Sequence, residues 1–295
     1  MKRFLAYFLI LALVSVALAL VNDGLNLMLI RSSCSSPAYK MERLWSDAFL
    51  DEVAILGSSR AQSNFMPSKM SSQCFNYGAD GMGMPEVLFL LRHLAQRKTS
   101  APVIVNLDPW GFGGFDHPAF VGDYRLAPKS GRMEFVDALP GMRFHGALRK
   151  NLAAWLNQRQ AVTKVIDGGA VLLKTSRTPA EWDVINAKLT PWEFTRSAEG
   201  EKEFEETVKS LAPRKIIVVV GPCADHFMEL YPSMDEFNRF LEHLRTRDNV
   251  VIVNLFGDAD FSDSDFTDPT HLNIRGAAKF TEKVMRAAGH IIKGR

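Results

Sequence analysis

The sequence predicts an α/β fold with a doubly wound parallel sheet, an N-terminal transmembrane helix and a helical insertion. Short apolar runs alternate with stretches whose apolar residues have helical spacing, which is typical of a parallel sheet covered by helices. The chain begins with a long uncharged apolar segment, and a stretch between residues 112 and 200 departs from the alternation. With 295 residues, of which 47% are hydrophobic, the chain can bury one sizeable core and does not require a second.

The amino terminus has the composition of a membrane-spanning segment. Lys2 and Arg3 precede an uncharged apolar run over residues 4–21. Such a run approaches the length of a bilayer-crossing helix, and the basic residues before it favour a cytoplasmic start with the rest of the chain outside. Residues 17–19 also suit signal-peptide cleavage, although the apolar segment of a signal peptide usually spans only about 7–15 residues. We therefore expect residues 1–30 to form a membrane anchor, with a cleaved signal as the alternative.

The rest of the chain divides into a stalk and one extracytoplasmic domain. Residues 31–50, with closely spaced serines and a proline, are predicted to be the stalk, and residues 51–295 the domain. The protein would then be a single-pass inner-membrane protein with a periplasmic C-terminal domain. Within the domain, residues 112–200 exceed what one crossover needs and predict an insertion with helices around 136–165 and 181–189. The insertion would be a lid or partner-docking surface, or a helical cap without a function of its own.

Strands and helices of the predicted domain follow from local patterns. Apolar runs bounded by turn residues predict five strands, at residues 53–56, 74–76, 103–107, 215–220 and 250–255. Helical spacing predicts helices over residues 85–97, from a Ser233/Glu236 capping box through Leu244, and from Gly276 onward.

Composition and cysteine spacing exclude several classes of protein. The net charge is only +2 with acidic and basic residues interspersed, so no nucleic-acid partner is expected. Cys34, Cys74 and Cys223 fit neither a zinc spacing nor a Cys-x-x-Cys motif. A Cys34–Cys74 disulfide and three buried free thiols both remain open. We expect no metal site and no cofactor.

Three polar residues follow the first and last predicted strands. Ser59 follows the strand at 53–56, and Asp268 and His271 follow the strand at 250–255. Because the carboxyl ends of parallel strands meet at one edge of the sheet, these residues can converge there. His271 would activate Ser59 as a base while Asp268 orients the imidazole, which is the arrangement of a serine hydrolase or acyltransferase. The alternatives are ordinary ones, since a serine in such a turn often caps a helix and an Asp-x-x-His spacing is common.

Two backbone N–H groups are predicted to stabilise an oxyanion. They belong to Ser59 and to Gly78, in the turn after the second strand. Four further side chains lie after predicted strands and could line a pocket: Arg60, Asp108, Trp110 and His226. Arg60 would bind an anionic group or form a salt bridge, Asp108 and Trp110 would line the pocket or pack in a turn, and His226 would face the site or the solvent. Ser58 is predicted to be structural.

These motifs resemble the conserved blocks of the SGNH (GDSL-type) hydrolase superfamily. Gly57-Ser58-Ser59 looks like its nucleophile block, Asn76-Tyr77-Gly78 like its glycine-bearing second block, and Asp268-Pro269-Thr270-His271 like its last block. The resemblance spans residues 51–290 and implies an SGNH/flavodoxin-like sheet with Ser59 as nucleophile. The third block departs from the pattern. The family supplies an oxyanion-hole asparagine there, whereas Asn106 falls within the predicted strand, so the resemblance assigns it no such role.

The predicted membrane anchor narrows the resemblance. An anchor followed by such a domain looks like the envelope proteins of alginate O-acetylation and of D-alanyl-lipoteichoic acid transfer. That resemblance implies a membrane-anchored acyltransferase or esterase acting on O-acyl groups of a cell-envelope glycan or polymer, with a membrane-bound O-acyltransferase as partner. The alternative is a non-catalytic subunit that holds the polymer or docks on that partner.

Overall fold

The computed structural model describes residues 2–32, 34–110, 148–149, 152, 155–156, 164–189, 197–229 and 234–294. Two compact units divide the chain. The first comprises residues 1–47 and 121–162, and the second comprises residues 48–120 and 163–295.

The first unit contains a long apolar helix. Helix α1 (Lys2–Arg31) continues without a break through Asn22, Asp23 and Gly24. Its 30 residues correspond to about 45 Å, more than the ~30 Å hydrocarbon thickness of a bilayer. Its most apolar stretch is not buried, and the helix is long and apolar enough to span a membrane. A signal sequence shares these two properties.

A second short helix in this unit lies within the predicted stalk. Helix α2 (Pro37–Leu44) starts where Ser36 accepts a hydrogen bond from the Tyr39 N–H at 3.1 Å, with proline in the first helical position. Arg31 at the end of α1 pairs with Glu42 of α2 at 2.7 Å.

The second unit is built on a five-stranded parallel sheet. Its strands are β1 (Val53–Leu56), β2 (Cys74–Asn76), β3 (Val103–Asn106), β6 (Ile216–Val220) and β7 (Val250–Asn254). The order across the sheet is β2-β1-β3-β6-β7. The α/β class and the parallel sheet predicted from the sequence are thus confirmed, and each predicted strand is found within a residue or two of its expected ends.

The strands β1, β3 and β6 are buried on both faces of this sheet. Ile55, Ile104 and Ile217 belong to a core cluster that also contains Ala61 and Phe280. The alternate residues, such as Leu56 and Val105, point to the other face and are fully buried as well. Burial on both faces explains why the strands are continuous apolar runs with little alternation.

The α-helices among the described residues of this unit are α3 (Ser59–Asn64), α4 (Pro67–Met70), α5 (Met84–Ala95), α6 (Pro179–Asn186), α7 (Ala198–Ser210), α8 (Asp225–Glu229), α9 (Asp235–Arg245) and α10 (Ile274–Ile292). The helices predicted at 85–97, through Leu244 and from Gly276 correspond to α5, α9 and α10. The N-cap residue of α9 is Met234 and not the predicted Ser233, and Met234 makes no side-chain capping bond. Ser233 lies outside the described residues. The cap of α10 is Asn273, whose Oδ1 accepts from the N–H groups of Arg275 and Gly276 at 3.0 and 3.1 Å.

The insertion contains a β-hairpin that the sequence analysis missed. Strands β4 (Lys164–Asp167) and β5 (Ala170–Leu173) pair antiparallel around Gly168 and Gly169, both of which have positive φ. Residues 164–165 are therefore strand, and the prediction of a helix reaching to 165 is wrong at that end. Residues 148–149, 152 and 155–156 are helical, and most of the rest of that predicted helix lies outside the described residues. The second predicted helix, at 181–189, corresponds to α6.

Candidate active site

The turn after β1 presents Ser59 at the start of a helix. Gly57 has a φ of +143°, a backbone conformation that suits glycine. Ser58 is the N-cap of α3, and its Oγ accepts from the Arg60 N–H at 3.2 Å. Ser59 is therefore the first helical residue. Because β1 lies between β2 and β3, this turn is at the point where the chain's strand order reverses, which is where sites form in open parallel sheets.

The loop after β7 organises Asp268 and His271 locally. Asp268 Oδ1 accepts from the backbone N–H groups of Thr270 and His271, each at 3.0 Å. The imidazole Nδ1 lies 2.9 Å from both carboxylate oxygens of Asp268. The three-residue spacing thus lets one carboxylate hold both the backbone and the ring of His271.

The structure brings Ser59 to this pair. His271 Nε2 lies 2.8 Å from Ser59 Oγ, although the two residues are 212 positions apart. An ionised carboxylate can only accept hydrogen bonds, so the Nδ1 that faces Asp268 carries the proton. Nε2 then has its lone pair directed at the Ser59 hydroxyl, which is the tautomer that a general base requires.

The charge of Asp268 is stabilised by its surroundings. Burial on its own would raise the pKa of this carboxyl group. The hydrogen bond from His271, the positive charge of its ring when protonated, and the backbone N–H groups of Thr270 and His271 outweigh that effect and lower the pKa of Asp268 below its ordinary value. Asp268 therefore remains an anion that fixes the imidazole.

A small cavity of about 180 Å³ opens at Ser59 and His271. Its lining residues come from α3, from the turn after β2, from the hairpin and from the last loop: Ser59, Gln62, Ser63, Asp80, Lys164, Val171, Leu173, Asp268 and His271. Val171 and Leu173 of β5 form its apolar part. Leu173 also makes a bridge to Asn273, so the hairpin is tied to the start of α10 beside the site.

Only one of the two predicted oxyanion donors is open. The Ser59 N–H is the first amide of α3 and has no acceptor within its own helix. The Gly78 N–H instead donates to the buried Asn76 Oδ1 at 2.9 Å, so in this arrangement it is already engaged. Asn106 lies at the end of β3, and its side-chain N–H donates to Asp108 at 2.9 Å and not to the cavity.

Arg60 and Asp108 form a buried ion pair. Arg60 is 2% exposed and Asp108 4% exposed, and their closest N–O distance is 2.7 Å. The second oxygen of Asp108 accepts from the Ser58 hydroxyl at 2.5 Å. Neither residue lines the cavity, so the structure places both beneath the site as internal partners, and the salt-bridge interpretation of Arg60 describes what is observed. Ser58 has the structural contacts that the sequence analysis expected.

The other two predicted pocket residues also lie outside the cavity lining. Trp110 packs edge-on against Phe227 at 5.7 Å and lies under the Arg60 guanidinium at 4.9 Å. His226 is on α8, is half exposed, and contacts Glu229 at 3.4 Å. His226 therefore has the exposed position that was its alternative interpretation.

Six cavity residues were not predicted: Gln62 and Ser63 of α3, Asp80 in the turn after β2, and three residues of the hairpin. Lys164, Val171 and Leu173 depend on recognising β4 and β5. The signal was present, because Gly168-Gly169 between two apolar runs is a typical hairpin turn. Within the described ranges, no group of three His, Cys, Asp or Glu side chains is placed to hold a metal ion.

The three cysteines are unpaired in the structure. Cys74 and Cys223 are buried, and Cys34 is half-buried. Burial raises the pKa of Cys74 to about 12 and that of Cys223 to about 11. Both thiols are therefore protonated at neutral pH and suited to packing more than to nucleophilic chemistry.

A scan against protein-family models finds no match to this chain, and a search of curated proteins finds none either. The functional argument therefore depends on the geometry of the site.

Proposed function

We propose that the protein is a membrane-anchored serine acyltransferase or esterase that acts on O-acyl groups of a cell-envelope polysaccharide or polymer. The observation that carries the proposal is the hydrogen-bonded chain from Ser59 through His271 to Asp268, with distances of 2.8 and 2.9 Å.

The chemistry follows from these contacts. Ser59 Oγ attacks the acyl carbonyl carbon while His271 Nε2 takes the hydroxyl proton. The Ser59 N–H donates to the developing oxyanion. His271 then gives its proton to the leaving alcohol oxygen, and the acyl group stays on Ser59 as an ester. Water or a sugar hydroxyl attacks this ester in the second half of the reaction, with His271 again accepting the proton.

The location and the family resemblance extend the proposal. Helix α1 is long and apolar enough to serve as the anchor, and Lys2 and Arg3 at its start favour a cytoplasmic amino terminus. The domain would then face the periplasm, where envelope polymers are acylated. The nucleophile turn after β1 and the Asp-x-x-His loop also support membership of the SGNH superfamily, whose members include envelope O-acylation proteins. A membrane-bound O-acyltransferase is the proposed partner.

Covalent labelling of the full-length chain in detergent tests the proposed nucleophile. A fluorophosphonate probe should label the wild type and not Ser59→Ala. Ser210→Ala is a matched control, because Ser210 is an exposed serine at the end of α7, shortly before β6 starts at the opposite edge of the sheet. An unlabelled wild type, or equal labelling of Ser59→Ala, would remove Ser59 as the nucleophile.

A non-catalytic scaffold is the second candidate. The engaged N–H of Gly78 and the inward bond of Asn106 favour it, because they leave the Ser59 N–H as the one open donor of those the sequence analysis weighed. Loss of one such donor typically costs ~10²–10³ in rate. If Ser59→Ala leaves envelope acylation unchanged in cells while deletion of residues 112–200 abolishes it, the scaffold function is correct.

A further inference from the structure

We infer that Arg60 and Asn64 are positioning residues that set the distance between His271 and the nucleophile. The inference rests on the proposed function and adds two residues to its machinery. Both lie on α3, the helix that also carries Ser59, and both are buried.

The two side chains hold the residues on either side of His271. Arg60 Nε donates to the Thr270 carbonyl oxygen at 3.0 Å. Asn64 Oδ1 accepts from the Leu272 N–H at 3.2 Å. Since Arg60 and Asn64 are four residues apart, they occupy the same face of α3. The helix that presents the nucleophile therefore also grips the loop that presents the base.

Arg60 is itself held by two other parts of the sheet edge. Its Nη1 donates to Asp108, after β3, and its Nη2 donates to the Pro222 carbonyl oxygen, after β6, each at 2.7 Å. Asp108 is held in turn by Ser58 and Asn106. The guanidinium thus joins the carboxyl ends of β1, β3 and β6 to the His271 loop, which is a task for a planar group with several donors in fixed directions.

The geometry of the loop explains why these contacts matter for reactivity. Asp268 fixes the His271 ring within the loop itself, and this internal arrangement does not determine where the loop lies relative to Ser59. That placement depends on contacts from outside the loop, and those from α3 hold the residues on both sides of His271. A displacement of about 1 Å between reacting groups can lower a rate about 10²-fold.

The loop also has anchors that do not involve α3. The Ala224 N–H donates to the Pro269 carbonyl oxygen at 2.9 Å, and Arg177 donates to the Thr267 carbonyl oxygen at 3.0 Å. Loss of one α3 contact should therefore shift the loop and leave it folded.

The test substitutes Arg60→Lys in the full-length chain in detergent. Lysine keeps a positive charge beside Asp108, and it cannot reproduce the bonds to both Thr270 and Pro222. Arg214→Lys is the matched control, because Arg214 is also buried and donates to two backbone carbonyl oxygens, those of Leu94 and Ala101, at the amino-terminal edge of the sheet.

We expect the fluorophosphonate rate constant of Arg60→Lys to fall 10- to 100-fold, with the final extent of labelling unchanged. Unfolding would lower the extent, whereas displacement of His271 lowers the rate constant. The double variant Arg60→Lys/His271→Ala should have nearly the same labelling rate constant as His271→Ala alone, because Arg60 acts through that histidine. Arg214→Lys should leave the rate constant within threefold of wild type. Its small effect should be the same whether or not His271→Ala is present.

Asn64→Ala removes the acceptor of the Leu272 N–H without adding volume to this buried site, and it should reproduce the loss if Arg60→Lys does not fold. The inference is overturned if the folded variants label at the wild-type rate, or if their effects are additive with His271→Ala.

A spectroscopic measurement separates this inference from the proposed function. If the wild type is not labelled, the proposed function fails, and the ¹⁵N shift of His271 Nε2 still reports its bond to Ser59. In Arg60→Lys this shift should move toward the value in Ser59→Ala. A shift identical to that of wild type overturns the positioning role.

Discussion

Replacing Asp268 with asparagine should disable His271 while leaving the loop intact. An asparagine Oδ1 can keep the bonds from the Thr270 and His271 N–H groups, both at 3.0 Å. This Oδ1 also lies 2.9 Å from Nδ1, but it already accepts those two backbone bonds, and the amide nitrogen would place a donor 2.9 Å from Nδ1 where the second carboxylate oxygen now accepts. Nδ1 would then lose its proton and Nε2 would carry it toward Ser59. The base would be in the wrong tautomer.

The expected loss is ~10³–10⁴-fold in the rate constant for fluorophosphonate labelling, equivalent to ~4–5.5 kcal/mol of transition-state stabilisation. Thermal unfolding should show a folded protein, because the backbone contacts of the loop persist. Asp258→Asn is the control. Asp258 pairs with Lys283 at 2.8 Å outside the cavity, so this variant should label at the wild-type rate. A rate constant for Asp268→Asn within threefold of wild type would refute the orienting role of the carboxylate.

Three further outcomes follow from packing and titration. Gly276→Ala should lower the free energy of unfolding in urea by ~1–3 kcal/mol, because the new Cβ would collide with the Asp265 carbonyl oxygen; an unchanged midpoint contradicts this packing. Iodoacetamide at pH 8 should leave Cys74 and Cys223 unmodified until denaturant is added, since burial raises their pKa values to about 12 and 11. If mass measurement shows that either thiol is modified in the native protein, its burial is contradicted. The pKa of Asp268 is lowered on folding, so its interactions stabilise the fold above pH ~4 and are lost as the pH falls through the lowered value. Urea unfolding from pH 6 to 3 should therefore show a smaller loss of stability in Asp268→Asn than in wild type.

The strands of the central sheet were predictable because their signal is local. A strand buried on both faces must be apolar at nearly every position, and Ile216–Val220 shows this without reference to any neighbour. The Asp268–His271 pair was equally accessible, since its geometry depends on one short loop. The pairing of His271 with Ser59 required only the rule that parallel strands end at the same edge.

The hairpin was missed for a different reason. Residues 164–173 lie in a stretch that departs from the strand–helix alternation, and the helix predicted around residues 136–165 overlaps the first two residues of β4. The Gly168-Gly169 turn is a local signal that favours a hairpin over a helix at these residues. Its role as a cavity wall was not local, because it depends on Leu173 meeting Asn273 beside α10.

The sequence by itself determined the α/β class, the apolar amino-terminal helix and the identity of the residues that meet at Ser59. These features depend on periodicity, length and short spacings, all of which are written into neighbouring residues. Only the tertiary structure decided that Arg60 is buried against Asp108 and that the Gly78 N–H is already bonded. The physical reason is that a polar group's role depends on which partner desolvates and binds it, and those partners come from distant parts of the chain.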